Sequence, residues 1–235
     1  MIFITGDTHR DVTDFTKIKE FCEKQETTKE DLMIIAGDVG VNYNLDESDD
    51  RVKDWMENLP ITFLLVRGNH EERPENIPTY KRENLKTVLW EGPVFREEEF
   101  PSLLFADNGL FHLEGKSVYI INGAYSVDKY YRVVNGLNWF PTEELTDEEM
   151  NKILADVTAI KKVDTVISHT CPLKYTPIEA FIPTIDRADI SRRMEEFLGK
   201  VERALTYEKW YAGHWHIDKT IDKMRFIYND IVSLQ

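Results

Sequence analysis

The sequence has few cysteines and a shortage of positive charge, and both absences narrow its function. Only two cysteines, Cys22 and Cys171, occur in 235 residues. They exclude a disulfide framework and a CxxC zinc pattern, and we expect a reducing, cytoplasmic location. Lys and Arg number 29 against 43 Asp and Glu, which gives a formal net charge of −14. Because a duplex-binding surface needs clustered basic residues, we expect no duplex nucleic acid as a partner.

Long hydrophobic runs are also absent. No apolar stretch approaches the roughly 20 residues of a membrane helix, so we expect no membrane association. The chain opens on a strand-like segment without a basic region or a cleavage site, and we therefore expect no secretory signal. We find no internal repeat, low-complexity segment or break in composition. These absences predict one domain over residues 1–235, whereas the oligomeric state stays open.

Short apolar runs that end in Gly, Asp, Asn or His predict buried strands. The runs are residues 1–7, 31–38, 61–69, 117–125, 164–169, 209–214 and 225–230. Helical periodicity predicts helices at 13–24, 146–160 and 189–205, and Thr146 begins a capping-box pattern. The acidic stretch 44–54 is interpreted as a solvated loop that leads into a helix. This alternation of strands and helices predicts an α/β fold with helices covering the sheets.

Polar side chains cluster where the predicted strands end. In α/β sheets, ligands bind beyond the carboxyl ends of the strands. Five of the six histidines lie at such ends, and only His112 does not. Each fragment alone is a weak signal, because Asp-x-His and Gly-Asp also occur in ordinary turns, and His-x-His on one strand face also occurs in protein cores. Nitrogen and carboxylate ligands without thiolates nevertheless suit Mn, Fe or Zn rather than a structural zinc site.

Taken in order, these fragments resemble the calcineurin-like metallophosphoesterase family. The motifs are D-x-H, G-D, G-N-H-E, a histidine after a strand, and G-H-W-H, and they run from residue 6 to residue 216. The resemblance implies a four-layer α/β/β/α metallophosphoesterase sandwich with two divalent metal ions. We expect Mn²⁺, with Fe, Zn, Ni, Co and Mg as alternatives. It also implies hydrolysis of a phosphomonoester or phosphodiester by a hydroxide that bridges the two metals.

The resemblance assigns a role to each residue of the motifs. Six side chains divide between the two metals: Asp7, His9 and His216 for one, and Asn69, His169 and His214 for the other. Asp38 would bridge both metals and is expected to be essential for catalysis. His70 stands where the family places its general acid, beside the leaving group. Glu71 is expected to support the ligands without binding a metal.

The match departs from the protein serine/threonine phosphatase branch at its second motif. That branch reads G-D-x-V-D-R-G, whereas this chain has Val41 and Asn42 in place of the second Asp and the Arg. The missing Asp orients the catalytic histidine in that branch, and the missing Arg grips phosphate. We therefore do not expect a dedicated protein phosphatase, and the residue that orients His70 is left unidentified.

The stretch 124–141 is rich in aromatic residues and is the candidate for reading the substrate. Its functional interpretation is a substrate wall of stacked rings: Tyr125, Tyr130, Tyr131 and Trp139. Arg132 would contact a phosphate. The alternative is a packed loop whose aromatic side chains belong to the core.

Three functions remain open at this stage. The first is a phosphoesterase that acts on a small phosphorylated substrate. The second is a nuclease of the same fold that cuts short oligonucleotides, against which the acidic charge weighs. The third is a scaffold that binds metal without catalysis, although such proteins typically lose ligands or the general-acid histidine, and this chain keeps both.

Overall fold

A computed structural model describes residues 1–180 and 190–234 of the chain. Within these residues the strands are β1 (Ile2–Thr5), β2 (Leu32–Ile35), β3 (Thr62–Leu65), β4 (Lys81–Lys86), β5 (Trp90–Arg96), β6 (Leu103–Ala106), β7 (Gly109–Leu113), β8 (Lys116–Ile121), β9 (Thr165–Ser168), β10 (Lys209–Ala212), β11 (Lys219–Ile221), β12 (Met224–Phe226) and β13 (Val232–Ser233). The α-helices are α1 (Val12–Gln25), α2 (Glu47–Glu57), α3 (Lys129–Val134), α4 (Asp147–Ile160) and α5 (Arg193–Ala204). Short 3₁₀ turns span Pro74–Asn76, Leu173–Tyr175 and Ile178–Ala180. None of the described helices has the length and apolar character that crossing a membrane requires.

The strands join into one large sheet with two parallel halves. Strands β1, β2, β3 and β6 pair in parallel in one half, and β8, β9, β10 and β12 do so in the other. Between the halves, β5 and β7 pair antiparallel with each other and with their outer neighbours β6 and β8. Strand β4 forms a hairpin with β5, and β13 and β11 close the two edges.

Alternate side chains of the strands build separate cores, and these cores define the layers. Ile4 of β1 and Ile120 of β8 belong to the same core, so the two halves of the sheet pack face to face. Phe3, on the opposite face of β1, packs with residues of α1 and α2. Tyr119, on the opposite face of β8, packs with residues of α4 and α5. Because a β-strand sends successive side chains to opposite faces, this arrangement is helix, sheet, sheet, helix. The predicted four-layer α/β/β/α sandwich is confirmed.

Most predicted elements are confirmed, one prediction needs correction, and several strands were missed. All seven predicted strands are present, and α4 begins with the predicted capping box at Thr146. The stretch 44–54 is mostly helix, because Asp46 caps α2 and the helix begins at residue 47. Strands β4 to β7 were not predicted. The predicted helix 189–205 corresponds to α5, although its first residue lies outside the described residues.

Candidate metal centre

The predicted ligands meet in space although they come from both halves of the sheet. Asp7, Asp38 and Asn69 follow the parallel strands β1, β2 and β3. His169 and His214 follow β9 and β10 of the other half. Folding of the sheet on itself brings these strand ends to one rim, as the parallel arrangement predicted.

Three groups of ligand atoms overlap at this rim. In each group the atoms lie within 4.8 Å of one another: Asp7, His9 and His216; His9, Asp38 and His70; Asp38, His169 and His214. Asp38 belongs to two of the groups. A carboxylate at that place has two oxygens and can reach a cation on either side of it. Six of the residues selected from the motifs therefore belong to these groups, together with His70, while the division of ligands between two metals stays a prediction.

Several ligand atoms of the centre lie within about 3 Å of one another. His9 Nε2 lies 3.0 Å from His216 Nε2. His169 Nε2 lies 3.0 Å from Asn69 Oδ1 and 3.3 Å from Asp38 Oδ2. Nitrogen lone pairs and oxygens this close repel one another unless a proton or a cation lies between them. Imidazole, carboxylate and amide oxygen together are a donor set that suits Mn, Fe or Zn. These residues therefore fit divalent metal ions.

Hydrogen bonds from neighbouring backbone groups orient the ligands. The backbone N–H of His214 donates to both carboxylate oxygens of Asp7 at 2.9 Å. The backbone N–H of His70 donates to Asp38 Oδ1 at 2.9 Å. His169 Nδ1 lies 2.8 Å from the carbonyl oxygen of Ala36, so this nitrogen carries a proton and Nε2 faces the other ligands. Such contacts fix the ring and carboxylate orientations that a metal needs.

Glu71 lies between two of the loops that carry candidate ligands. Its side chain is fully buried and accepts hydrogen bonds from the backbone N–H groups of Val39, Gly40 and Gly68. The carboxylate thus ties the loop after β2 to the loop after β3. Burial and the nearby charge of Asp38 raise the pKa of Glu71 to about 7. The supporting role expected for Glu71 stays a prediction.

The backbone of the centre is held in unusual conformations and close contacts. His9, Asp38, His214 and His216 all have positive φ angles, between 45° and 66°. Such angles are uncommon for residues with a side chain and cluster at functional sites. His214 and His216 therefore lie in the bend after β10. Their His-x-His pattern had suggested a position on the strand itself. At Gly68 an added Cβ would lie 2.5 Å from the backbone nitrogen of Asp38, so this position has no room for a side chain.

The charges of the centre are strongly coupled through its burial. Burial would raise the pKa of Asp38, but His169 and His70 outweigh it and hold the pKa well below its ordinary value. Burial would lower the pKa of His169, but Asp38 and Asp7 outweigh it and raise the pKa to about 9. Burial lowers the pKa of His214 far below its ordinary value. A buried negative field therefore attracts a proton to His169, and a divalent cation would compete for the same place.

A cavity of about 560 Å³ opens over the ligand cluster. His70 and Arg132 lie on its wall, with Arg132 Nη2 2.8 Å from His70 Nδ1 and 3.3 Å from Nε2. Arg132 also donates to the hydroxyl of Tyr43 at 3.0 Å and to Asp128 at 2.8 Å. Burial and the charge of Arg132, opposed by Asp38, lower the pKa of His70 to about 4. Arg132 thus contacts the histidine whose orienting residue could not be identified from the sequence.

The aromatic residues expected to line the cavity do not all reach it. Tyr131 is 61% exposed on α3 and Tyr130 is 82% exposed. Tyr125 lies on a separate small pocket of about 20 Å³, and Trp139 donates from its indole N–H to Glu143. Trp215 lines the cavity, and so does Tyr43, whose ring lies 6.5 Å from that of His70 and is nearly parallel to it. Sequence reasoning missed Tyr43 because it lies in the loop 42–46, outside every motif.

A comparison with protein-family models decides the family. The model of the calcineurin-like phosphoesterases matches residues 1–218. The chain belongs to the calcineurin-like phosphoesterase family. This confirms the resemblance inferred from the motifs, and the chain is accordingly a metal-dependent hydrolase of that family. A search of curated proteins finds no significant match.

Three solved structures are similar to this chain at low sequence identity and low TM-score. Phosphopantetheinyl hydrolase from Mycobacterium tuberculosis shares 14% identity at a TM-score of 0.40, over 97% of this chain and 87% of that one. A protein of unknown function from Aquifex aeolicus shares 14% identity at a TM-score of 0.36, over 97% and 89% of the two chains. Sulfate thiohydrolase from Thermus thermophilus shares 12% identity at a TM-score of 0.37, over 92% of this chain and 37% of that one. At these values the likenesses carry no information about the substrate.

Proposed function

We propose that this member of the family hydrolyses a small phosphomonoester or phosphodiester with two divalent metal ions, of which Mn²⁺ is our first choice. The observation that carries the proposal is the position of Asp38. Its carboxylate lies between two sets of ligand atoms, and members of both sets line the same cavity. A centre built for one metal would not need ligand groups on both sides of a shared carboxylate.

The ligand sets follow the division implied by the motifs. Asp7, His9 and His216 would hold one ion, Asn69, His169 and His214 the other, and Asp38 both. When bound, the two ions would lower the pKa of an attacking water and neutralise charge that builds on phosphorus. Asp7, Asn69 and His169 are buried at this rim, His9 and His214 are half-buried, and His216 is exposed. Buried ligands experience a lower effective dielectric, which strengthens their interaction with a cation.

Two residues of the cavity wall are proposed to act on the substrate. The Arg132 guanidinium would pair with phosphoryl oxygens, for which its planar fork is suited. His70 Nε2 lies 3.9 Å from Asp38 Oδ2 and faces the same cavity, so it would donate to the leaving oxygen. With a pKa lowered to about 4, His70 is neutral at pH 7 in the free protein. A phosphoryl dianion beside the ring would raise that pKa, so substrate binding would favour the protonated, acidic form.

The proposal is tested with generic esters and a pair of matched variants. We would measure hydrolysis of p-nitrophenyl phosphate and bis-p-nitrophenyl phosphate in Mn²⁺ for the wild type, Asp38→Asn and Asp54→Asn. Asp54 is exposed on α2 and is not among the candidate ligands, so its variant controls for the loss of one carboxylate. We expect Asp38→Asn to lose turnover and Asp54→Asn to keep it. Metal-dependent turnover retained in Asp38→Asn would overturn the proposal.

The substrate panel then decides between the remaining functions. Turnover of the diester alone would direct the next tests to cyclic nucleotides and short oligonucleotides. Cleavage of the oligonucleotides would favour the nuclease alternative. Turnover of the monoester would direct them to phosphorylated metabolites. A protein that binds two metals and hydrolyses no ester in the panel would favour the scaffold alternative.

A further inference from the structure

A buried chain of hydrogen bonds leads away from one predicted metal ligand and belongs to no motif. It runs from Asn69 through Ser126 to Glu143, and these side chains are 3%, 1% and 2% exposed. Asn69 follows β3, whereas Ser126 and Glu143 belong to the segment after β8. This series of hydrogen bonds therefore connects the ligand loop after β3, in one half of the sheet, to the segment after β8, in the other half.

The Glu143 carboxylate, at one end of this series of hydrogen bonds, determines the direction of each bond. Glu143 Oε1 accepts from the backbone N–H of Ser126 at 3.1 Å, and Oε2 accepts from Trp139 Nε1 at 2.9 Å. Both donors have no capacity to accept, so the carboxylate acts as an acceptor here. The Ser126 hydroxyl, 2.5 Å from Oε2, consequently gives its proton to Glu143. Only its lone pairs remain to meet Asn69.

This direction dictates which end of the Asn69 amide faces the metal centre. Asn69 Nδ2 donates to Ser126 Oγ at 2.9 Å. The NH₂ end is thereby held against Ser126, and Oδ1 is left on the opposite side, 3.0 Å from His169 Nε2. An amide turned by 180° would present two N–H hydrogens to the place where a cation would bind. It would also direct an oxygen at the Ser126 hydroxyl, whose proton is already committed to Glu143.

We infer that Ser126 and Glu143 are positioning residues that hold Asn69 with its oxygen toward the second metal ion. The inference rests on the proposed two-metal function and adds two residues that hold the Asn69 amide in one orientation. Partners of this kind typically change metal affinity by about 10- to 100-fold when they are removed. Because Asp7, His9 and His216 lie outside this chain of hydrogen bonds, the other ion should be unaffected.

Two variants test the inference in different ways. Ser126→Ala removes the acceptor of the Asn69 NH₂ group. Glu143→Gln keeps the shape of the side chain but introduces an NH₂ group that must face either the backbone N–H of Ser126 or both Trp139 Nε1 and the Ser126 hydroxyl. Trp139→Phe serves as the matched control, since it removes one donor to Glu143 and leaves the bonds of Ser126 and Asn69 intact.

The measurement is Mn²⁺ binding by titration calorimetry, with electron paramagnetic resonance to detect the spin-coupled pair of ions. We expect two sites in the wild type and in Trp139→Phe. In Ser126→Ala and Glu143→Gln we expect one site to weaken by about 10- to 100-fold, the other to change by less than about threefold, and the coupled signal to be lost at limiting metal. A merely structural role would instead lower the melting temperature and weaken both sites alike.

The outcomes separate this inference from the proposed function. If the wild type binds two ions and both variants bind them with unchanged affinity, the inference is overturned and the proposed function stands. If the wild type binds fewer than two ions, both are overturned. Should Ser126→Ala fail to fold, the near-isosteric Glu143→Gln decides the question.

Discussion

Replacement of Gly68 by Ala should disable the metal centre by displacing Asp38. The φ angle of Gly68 lies outside the left-handed range, so the backbone accepts a side chain and only space is lacking. The new Cβ would lie 1.9 Å from Asp38 Oδ1 and 2.5 Å from Asp38 N, so movements of about 1.5 Å and about 0.9 Å are needed to reach an ordinary contact of 3.4 Å. Metal ligands tolerate errors of only about 0.2 Å. We therefore expect the affinity for metal to fall by at least about 100-fold.

This loss converts into a measurable change in thermal stability. Metal at 100 times its dissociation constant stabilises a protein by about 2.7 kcal/mol per site. For a chain of this size that corresponds to a rise in melting temperature of about 5–11 °C. At the same metal concentration, a site weakened 100-fold contributes only about 0.4 kcal/mol, or about 1–2 °C. The metal-free Gly68→Ala protein should also lose about 1–3 kcal/mol because of the steric contact.

The assay is thermal unfolding with and without Mn²⁺, and Gly199→Ala is its control. Gly199 lies within α5, and its added Cβ would meet nothing closer than an arginine nitrogen at 3.6 Å. Ala there should stabilise the protein by about 0.5–1 kcal/mol and leave the metal-induced shift unchanged. If Gly68→Ala kept the full metal-induced shift of the wild type, the close contact with Asp38 would not control metal binding, and the reasoning would be refuted.

Three further predictions follow from charges and burial. Because the pKa of His169 is raised to about 9, Mn²⁺ binding between pH 6 and 8 should release one proton and tighten about tenfold per pH unit; calorimetry in buffers of different ionisation enthalpy checks this, and binding without proton release would contradict it. Burial would raise the pKa of Glu149, but hydrogen bonds from Arg73 lower it to about 2, so this stabilisation is complete above pH 4.5 and lost as the pH falls through 2. Glu149→Gln should therefore cost about 1–2 kcal/mol at pH 7, a value discounted for partial exposure, and much less at pH 2, as urea unfolding would show; an equal loss at both pH values would argue against the pair. Cys22 and Cys171 are buried with raised thiol pKa values, so a thiol reagent should modify them only after unfolding, and rapid labelling of the native protein would disprove this.

Every predicted strand contains a continuous apolar run, whereas the strands that were not predicted are mixed. Strand β6 has such a run, Leu-Leu-Phe-Ala, and was overlooked, but β4 has none. The strands β1, β2 and β3 are buried on both faces, and their sequences show it. Strand β4 reads Lys-Arg-Glu-Asn-Leu-Lys and is mostly exposed. It is a strand because it pairs with β5 in a hairpin, and no local apolar pattern marks it. Propensity alone does not reveal a strand whose stabilisation comes from its partner.

The residues of the cavity wall show a similar limit. Arg132 was selected from the sequence, and the structure places it against His70. Tyr43, which supports that same arginine, was not selected, because the two residues are 89 positions apart and no motif contains Tyr43. Tyr131 is an aromatic neighbour of Arg132 in sequence but points to the exposed side of α3. On a short helix, adjacent residues face different directions, so their sequence neighbourhood does not decide which of them lines a cavity.

By itself, the sequence determined the family, the four-layer fold and the chemical types of the candidate ligands. Apolar runs that end in Asp, Asn or His record both the buried strands and the polar groups beyond them, and each is a local property. Only the tertiary structure decided which atoms of those ligands face the centre. The orientation of the Asn69 amide depends on Ser126, 57 residues away, and on Glu143, 17 residues further. A hydrogen bond has a direction that is set by its partner, and that partner is chosen by how the two halves of the sheet fold together.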